Sequence, residues 1–203
     1  MLAIVSEEGT LSTEIWRPPV TATFSHGGVE AELLPLGPQH REVLREAFSR
    51  LSERSRYLRF MAPISQLSSS DLDYLTELDM VERFAWALLV EGKPAAVGRY
   101  ARTTTSPSTL EVGVTVLDDY QGRGLGKLLV QALAVVARNA GFATFEFEVL
   151  AENTAMISVL QSFGVALEYD GPVVHGRLPI DKVPDPPVDP DHLLEVVGSA
   201  RRL

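Results

Sequence analysis

Residues 109–141 read TLEVGVTVLDDYQGRGLGKLLVQALAVVARNAG. The β-branched, alternating start predicts a strand over 109–118. Further on, Leu125, Leu128, Leu129, Ala132, Val135 and Val136 recur at helical spacing, so 124–139 predicts a helix that Gly141 ends. Between the two lies a polar turn carrying Gly122, Gly124 and Gly126. Glycine lets backbone approach a ligand with no Cβ in the way. The first N–H groups of the helix lack internal partners and sit at the positive end of its dipole. Together these features suit a phosphate or pyrophosphate. The turn is not a P-loop, because Gln121 stands where the first glycine belongs and Leu128 where Ser or Thr belongs. Nor is it a dinucleotide fingerprint, since the third glycine comes one residue early. What remains is Gln-x-x-Gly-x-Gly, formed by Gln121, Gly124 and Gly126.

Working outward, the flanks predict strands at 29–36, 84–91, 94–103 and 142–150 and a closing hairpin over 165–179 turning at Asp170-Gly171. Helices are predicted at 39–51, 52–60, 68–79 and 153–163. This order predicts a mixed α/β sheet covered by helices. Residues 1–28 read as an N-terminal extension and 29–180 as the domain. The tail 181–203 opens with four prolines in eleven residues, reads as an extended linker, and could close as a short helix.

Composition narrows the function classes. The 203 residues suit one domain with appendages, with 45% hydrophobic and 22% charged residues. There are no cysteines, which excludes disulfides, thiolate nucleophiles and Cys-ligated metals. A formal net charge of −9 argues against nucleic acid or an anionic membrane as partner and tolerates cationic substrates such as amines. The N-terminus MLAIVSEEGT turns acidic after four apolar residues and is no signal peptide. No stretch approaches a membrane span, so a cytoplasmic address is compatible with the sequence. His26, His40, His175 and His192 are scattered, and no metal site is expected from them.

At the Gln121–Gly126 motif the sequence resembles the GNAT superfamily of N-acetyltransferases. The likeness extends over about 29–179 and includes ENTAMISVLQSFG (152–164), with Asn153 opening a helix and Gly164 ending it. Residues 49–79 resemble the substrate-side helices of the bacterial Pat-type protein lysine acetyltransferases. The resemblance implies a GNAT-like sheet of about six to seven strands whose two central parallel strands splay to admit acetyl-CoA. It implies that the amides of Gln121, Gly122, Arg123, Gly124, Leu125, Gly126 and Lys127 hold the pyrophosphate, that Val114, Thr115 and Val116 pair with pantetheine, and that Asn153 belongs to the same site. It further implies Glu111 as general base. Glu146 and Glu148, alternating with Phe145 and Phe147 on one strand face, are rival carboxylates.

An amine acceptor with a pKa near 10.4 is almost wholly protonated at neutral pH, so direct transfer needs a group that takes its proton. Many GNAT enzymes supply a tyrosine acid midway along the helix after the motif asparagine. Leu160 stands there, a departure that the Pat-type subgroup shares. Relatives of that subgroup often carry a separate regulatory module, and the flanks of 29–180 leave no room for one. A protein lysine is the favoured acceptor. A small-molecule amine, or a non-catalytic acyl-CoA sensor, is the alternative. Self-association is left open.

Overall fold

The computed structural model describes residues 21–202 apart from Thr105. The Trp16 and Arg17-Pro18-Pro19 stretch of the N-terminal extension lies outside the described residues. Eight strands form one sheet: β1 (Ala22–His26), β2 (Val29–Pro35), β3 (Arg83–Val90), β4 (Lys93–Arg102), β5 (Thr109–Val116), β6 (Thr144–Leu150), β7 (Leu167–Asp170) and β8 (Val173–Pro179). Their spatial order is β1-β2-β3-β4-β5-β6-β8-β7. The β5–β6 pair is parallel and the other neighbours are antiparallel. Six α-helices flank the sheet: α1 (Arg41–Ser49), α2 (Glu53–Phe60), α3 (Ser69–Thr76), α4 (Leu125–Asn139), α5 (Thr154–Ser162) and α6 (Pro190–Ala200). The fold is GNAT-like, with one strand beyond the expected range.

The additional strand is β1, which the sequence places within the extension. It pairs with β2 across Gly27-Gly28, both at positive φ (60° and 84°), the geometry a two-residue hairpin turn requires.

Strand alternation gives the sheet two unlike faces. One carries Phe84, Trp86, Leu88, Tyr100, Leu110 and Val112 and packs against α4, whose Leu125, Leu128, Leu129, Ala132, Val135 and Val136 are all buried. Trp86 is core, and its indole N–H donates to the Ala132 carbonyl at 3.2 Å. The other face carries Ala85, Ala87 and Val97, which pack with Val43 and Leu44 of α1. A neighbouring cluster of Phe48, Leu51, Leu67, Leu72 and Leu117 joins α1, α3 and the loops around α2.

The proline-rich tail is extended, yet it is docked rather than a free linker. Val183 and Val188 are buried in the main core. Gln131 of α4 donates to the Pro184 and Asp185 carbonyls, and Arg138 donates to the Ile180 and Val183 carbonyls and pairs with Asp185 at 3.0 Å. The tail thus delivers α6, capped by Asp189, onto α4, β1 and β2. Prolines favour the extended path because they fix φ and donate no hydrogen bond.

Candidate active site

The parallel pair is short. β5 and β6 pair only at Thr109↔Thr144, Leu110↔Phe145 and Glu111↔Glu146. Beyond Glu111, β5 continues along β4 as far as Val116↔Ala96, while β6 continues along β8 to Leu150↔Val173. The two strands therefore diverge, and Glu111 is at the last paired position.

Backbone alternation dictates what faces the gap. Leu117 N–H donates to the Ala95 carbonyl of the β4 side at 2.9 Å. In an antiparallel ladder the hydrogen-bonding direction alternates along the strand. The polar groups of Thr115 and Gly113 then point to β4, and those of Val114 and Val116 point into the opening. An extended ligand can add to β5 there as a further strand.

At the wide end is the glycine turn. Gly122 and Gly124 have φ of 73° and 78°, the left-handed region that favours glycine. Gly124 is the N-cap of α4 and offers no side-chain cap, and the first turn of α4 holds no acidic residue. The free N–H groups of that turn can therefore meet an external anion. A cleft of about 370 Å³ brings together Val114, Thr115, Val116, Gln121, Gly122, Gly124, Leu125, Gly126, Lys127 and Asn153. It also takes in Ser55 and Arg59 of α2, Tyr120, and Met156 and Ser158 of α5, none of which stands out in the sequence as a site residue.

Arg123 differs from the other turn residues. It is not among the residues lining the cleft; its guanidinium donates to the Asp119 carbonyl at 2.7 Å and lies over the Tyr120 ring. The Arg123 carbonyl is held at 2.8 Å by His26 of β1. Asn153 lines the cleft while its side-chain oxygen accepts from Met156 N–H, capping α5. Leu160 is fully buried against the core and offers no acid.

A polar knot ties α2 to the turn. Asp118 accepts from Ser52 N–H at 3.0 Å and from the hydroxyls of Ser52 and Ser55 at 2.8 and 2.7 Å. Gln121 donates to the Ser55 hydroxyl and to the Val116 carbonyl, each at 3.2 Å. Partial burial works against the Asp118 carboxylate, but the hydrogen bonds from Ser52 and Ser55 outweigh it and hold the carboxyl below its ordinary value.

The rival carboxylates are paired. Glu146 makes an ion pair with Arg177 of β8, and Glu148 lies 3.5 Å from His175. Beside the apex, two arginines flank Gly113. Arg99 is its register partner on β4. Arg59 reaches across from α2 so closely that a Cβ on Gly113 would collide with its guanidinium. Burial, with a smaller contribution from neighbouring Arg99, pushes the Arg59 guanidinium down to about 10, against the opposing pull of Glu111 and Tyr74. Among the described residues no cluster of His, Asp or Glu could hold a metal ion, and no helix is long and apolar enough to cross a membrane.

A parallel strand pair opening onto a bare helix N-terminus is built for an extended cosubstrate with an anionic head, the arrangement of an acyl-transfer fold. The chain belongs to the acetyltransferase (GNAT) family, whose profile matches residues 45–165. It is 31% identical over 155 residues to the acetyltransferase Pat of Mycolicibacterium smegmatis, an alignment covering 75% of this chain and 46% of that protein. The chain thus spans less than half of that relative. It is 34% identical over 140 residues to the acetyltransferase PA5475 of Pseudomonas aeruginosa, covering 67% of this chain and 75% of the other. The crystal structure of the GNAT domain of S. lividans PAT superposes with a TM-score of 0.73 at 30% identity, covering 78% of this chain and 96% of that one.

Proposed function

We propose that this acetyltransferase moves the acetyl group of acetyl-CoA directly to a primary amine, with Glu111 as general base and a protein lysine as the favoured acceptor. The observation that carries the base role is the position of Glu111 at the last paired step of β5 and β6, where the two strands begin to diverge, although Glu111 is not itself among the residues lining the cleft. Its rivals Glu146 and Glu148 lie against Arg177 and His175 of β8, whereas Glu111 has no ion pair among the described residues.

Glu111, directly or through water, takes the proton of the ammonium group. The freed nitrogen attacks the thioester carbon, the C–N bond forms as the C–S bond breaks, and the electron pair leaves on sulfur; the second proton, shed by the acylated nitrogen, passes to that sulfur to give the amide and the CoA thiol. The Val116 N–H, pointing into the opening, is suited to receive the developing oxyanion. The turn Gln121–Lys127 is suited to the pyrophosphate and Val114–Val116 to the pantetheine arm. The likeness to Pat and to the GNAT domain of PAT supports a protein acceptor.

The test is thiol release from acetyl-CoA in the presence of a lysine-rich protein extract, comparing wild type with Glu111→Gln. The chain has no cysteine, so it adds no thiol background. Release that requires the extract and collapses in the variant, with acetyl-CoA affinity retained, is the expected result. Binding without release from any amine would make the protein an acyl-CoA sensor instead.

A further inference from the structure

Under the roof of α1, α2 and α3 lies a second cavity of about 70 Å³, next to the cofactor cleft. The two share Arg59 and Thr115 as lining residues. The cavity lining is mostly apolar; its charged members are Arg59, packed against Gly113, and Arg99, the register partner of Gly113 on β4.

Arg99 is only 9% exposed, and its Nη2 has no hydrogen-bond partner. Its contacts are with an aromatic face: the guanidinium lies 4.5 Å from the centroid of Tyr74, whose ring Arg83 also approaches at 4.6 Å. Neither Arg59 nor Arg99 forms an ion pair with a described residue, and although the Glu111 carboxylate attracts Arg59 from a distance, no carboxylate is paired with Arg99. Two guanidinium groups lining one small cavity, one of them nine-tenths buried with an unused donor, are costly unless an anion joins them. A guanidinium presents donors in a planar fork that matches a carboxylate. The cavity is large enough for several water-sized groups.

Gly113 and Glu111 lie on the same face of β5, two residues and about 7 Å apart. The anion position and the apex are thus separated by the span of a few bonds. Arg99 lines the second cavity and not the cofactor cleft, which assigns the anion to the acceptor rather than to the acyl donor.

We infer that the amine acceptor carries a carboxylate, held between Arg59 and Arg99 over Gly113 while its amine is presented to Glu111. This rests on the transferase reading above. The carboxylate can belong to an acidic residue beside a protein lysine or to a free amino acid, and the chemistry of recognition is the same.

The test uses matched acceptors. One pair is Nα-acetyl-lysine and its amide; the other is a short peptide with a single lysine beside aspartate and its asparagine twin. In wild type the carboxylate member of a pair is used with a kcat/KM higher by about 10–100-fold, the scale of a charge-assisted hydrogen-bond pair. The pair showing the preference identifies the source. Arg99→Gln erases the preference and leaves acetyl-CoA affinity unchanged, and Arg59→Gln provides a second, independently folded check. Equal use of both twins by wild type, or a preference that survives Arg99→Gln, overturns the inference. So does an Arg99-dependent preference for succinyl-CoA over butyryl-CoA, which would move the carboxylate to the donor.

A calorimetric arm needs no turnover. With CoA bound, Nα,Nε-diacetyl-lysine binds wild type more tightly than its amide does, and Arg99→Gln loses the difference. If no amine is acetylated the transferase reading falls, and this arm alone decides whether the arginine pair holds a carboxylate.

Discussion

The two faces of the sheet are made of different materials. Under α4 and α6 the face is continuous: Phe84, Trp86, Tyr100, Leu110 and Phe145 are fully buried, and α4 comes so close to β4 that a Cβ on Gly98 would sit 3.0 Å from Leu129. Under α1–α3 the face is lined by Ala85, Ala87 and Gly113, contains a cavity, and carries Arg59, Arg99 and His40 among its buried or partly buried groups. Close packing is worth most where shape is complementary, and buried charge costs most where partners are absent. The contrast separates packing from charge: one face is closely filled, and the other holds a cavity with buried or partly buried charged and polar groups.

Substitutions can break that division. The largest effect is expected at the apex, where Glu111→Gln lowers turnover by about 10²–10⁴-fold while leaving the urea midpoint in place. The mirror experiment is on the packed face. Leu193→Ala in α6 should cost about 2–5 kcal/mol in equilibrium unfolding and leave the activity per folded molecule intact, because Leu193 is fully buried in the main core and does not line the cleft.

A smaller effect sharpens the comparison through pH. His40 is 1% exposed, its ring Nδ1 accepts from Gly37 N–H at 3.0 Å, and burial pushes it down to about 4. The unfolded chain therefore binds a proton near pH 6.5 that the folded chain refuses. Stability should be constant above that value and decline as pH falls from about 6.5 towards 4, by up to about 3 kcal/mol. His40→Gln should flatten the slope in urea midpoints measured across that range.

The smallest effect is at the polar knot. Asp118 lies on the surface, so its Ser52 and Ser55 bonds contribute about 1 kcal/mol at most. Because its folded value is depressed, that contribution is present above the ordinary aspartate value of 3.8 and is lost as pH falls below it. Asp118→Ala should barely move the unfolding midpoint yet raise the KM for acetyl-CoA, since Gln121 is tied to the same serine.

What was legible in the sequence follows the same division. The cofactor side is local: strand, turn and helix are contiguous in 109–141, so the cleft residues from Val114 to Lys127 can be read from spacing and resemblance. The roofed side is assembled from distant segments. Arg59 from α2 and Arg99 from β4 line one cavity only because register pairs Arg99 with Gly113 and because glycine there leaves room for Arg59. A charged side chain amid Ala95, Ala96, Val97, Gly98 and Ala101 of β4 was the available signal for Arg99. For Arg59, within the charged helix ERSRYLRF, there was none. β1 was missed, because residues 1–28 read as an extension; Gly27-Gly28 ahead of β2 was the available signal for its hairpin. The docking of the tail was not, because proline content reports extension and is silent on what the extended segment touches.

That docking bears on how the molecule is made. α6 rests on β1 and β2, the first strands of the described chain, and Val188, Leu193, Val196 and Val197 help to seal the main core. At a ribosomal pace of about 5–20 residues per second, the first hairpin emerges many seconds before the helix that shields it. The nascent sheet must wait with an uncovered apolar flank until α6 has been made.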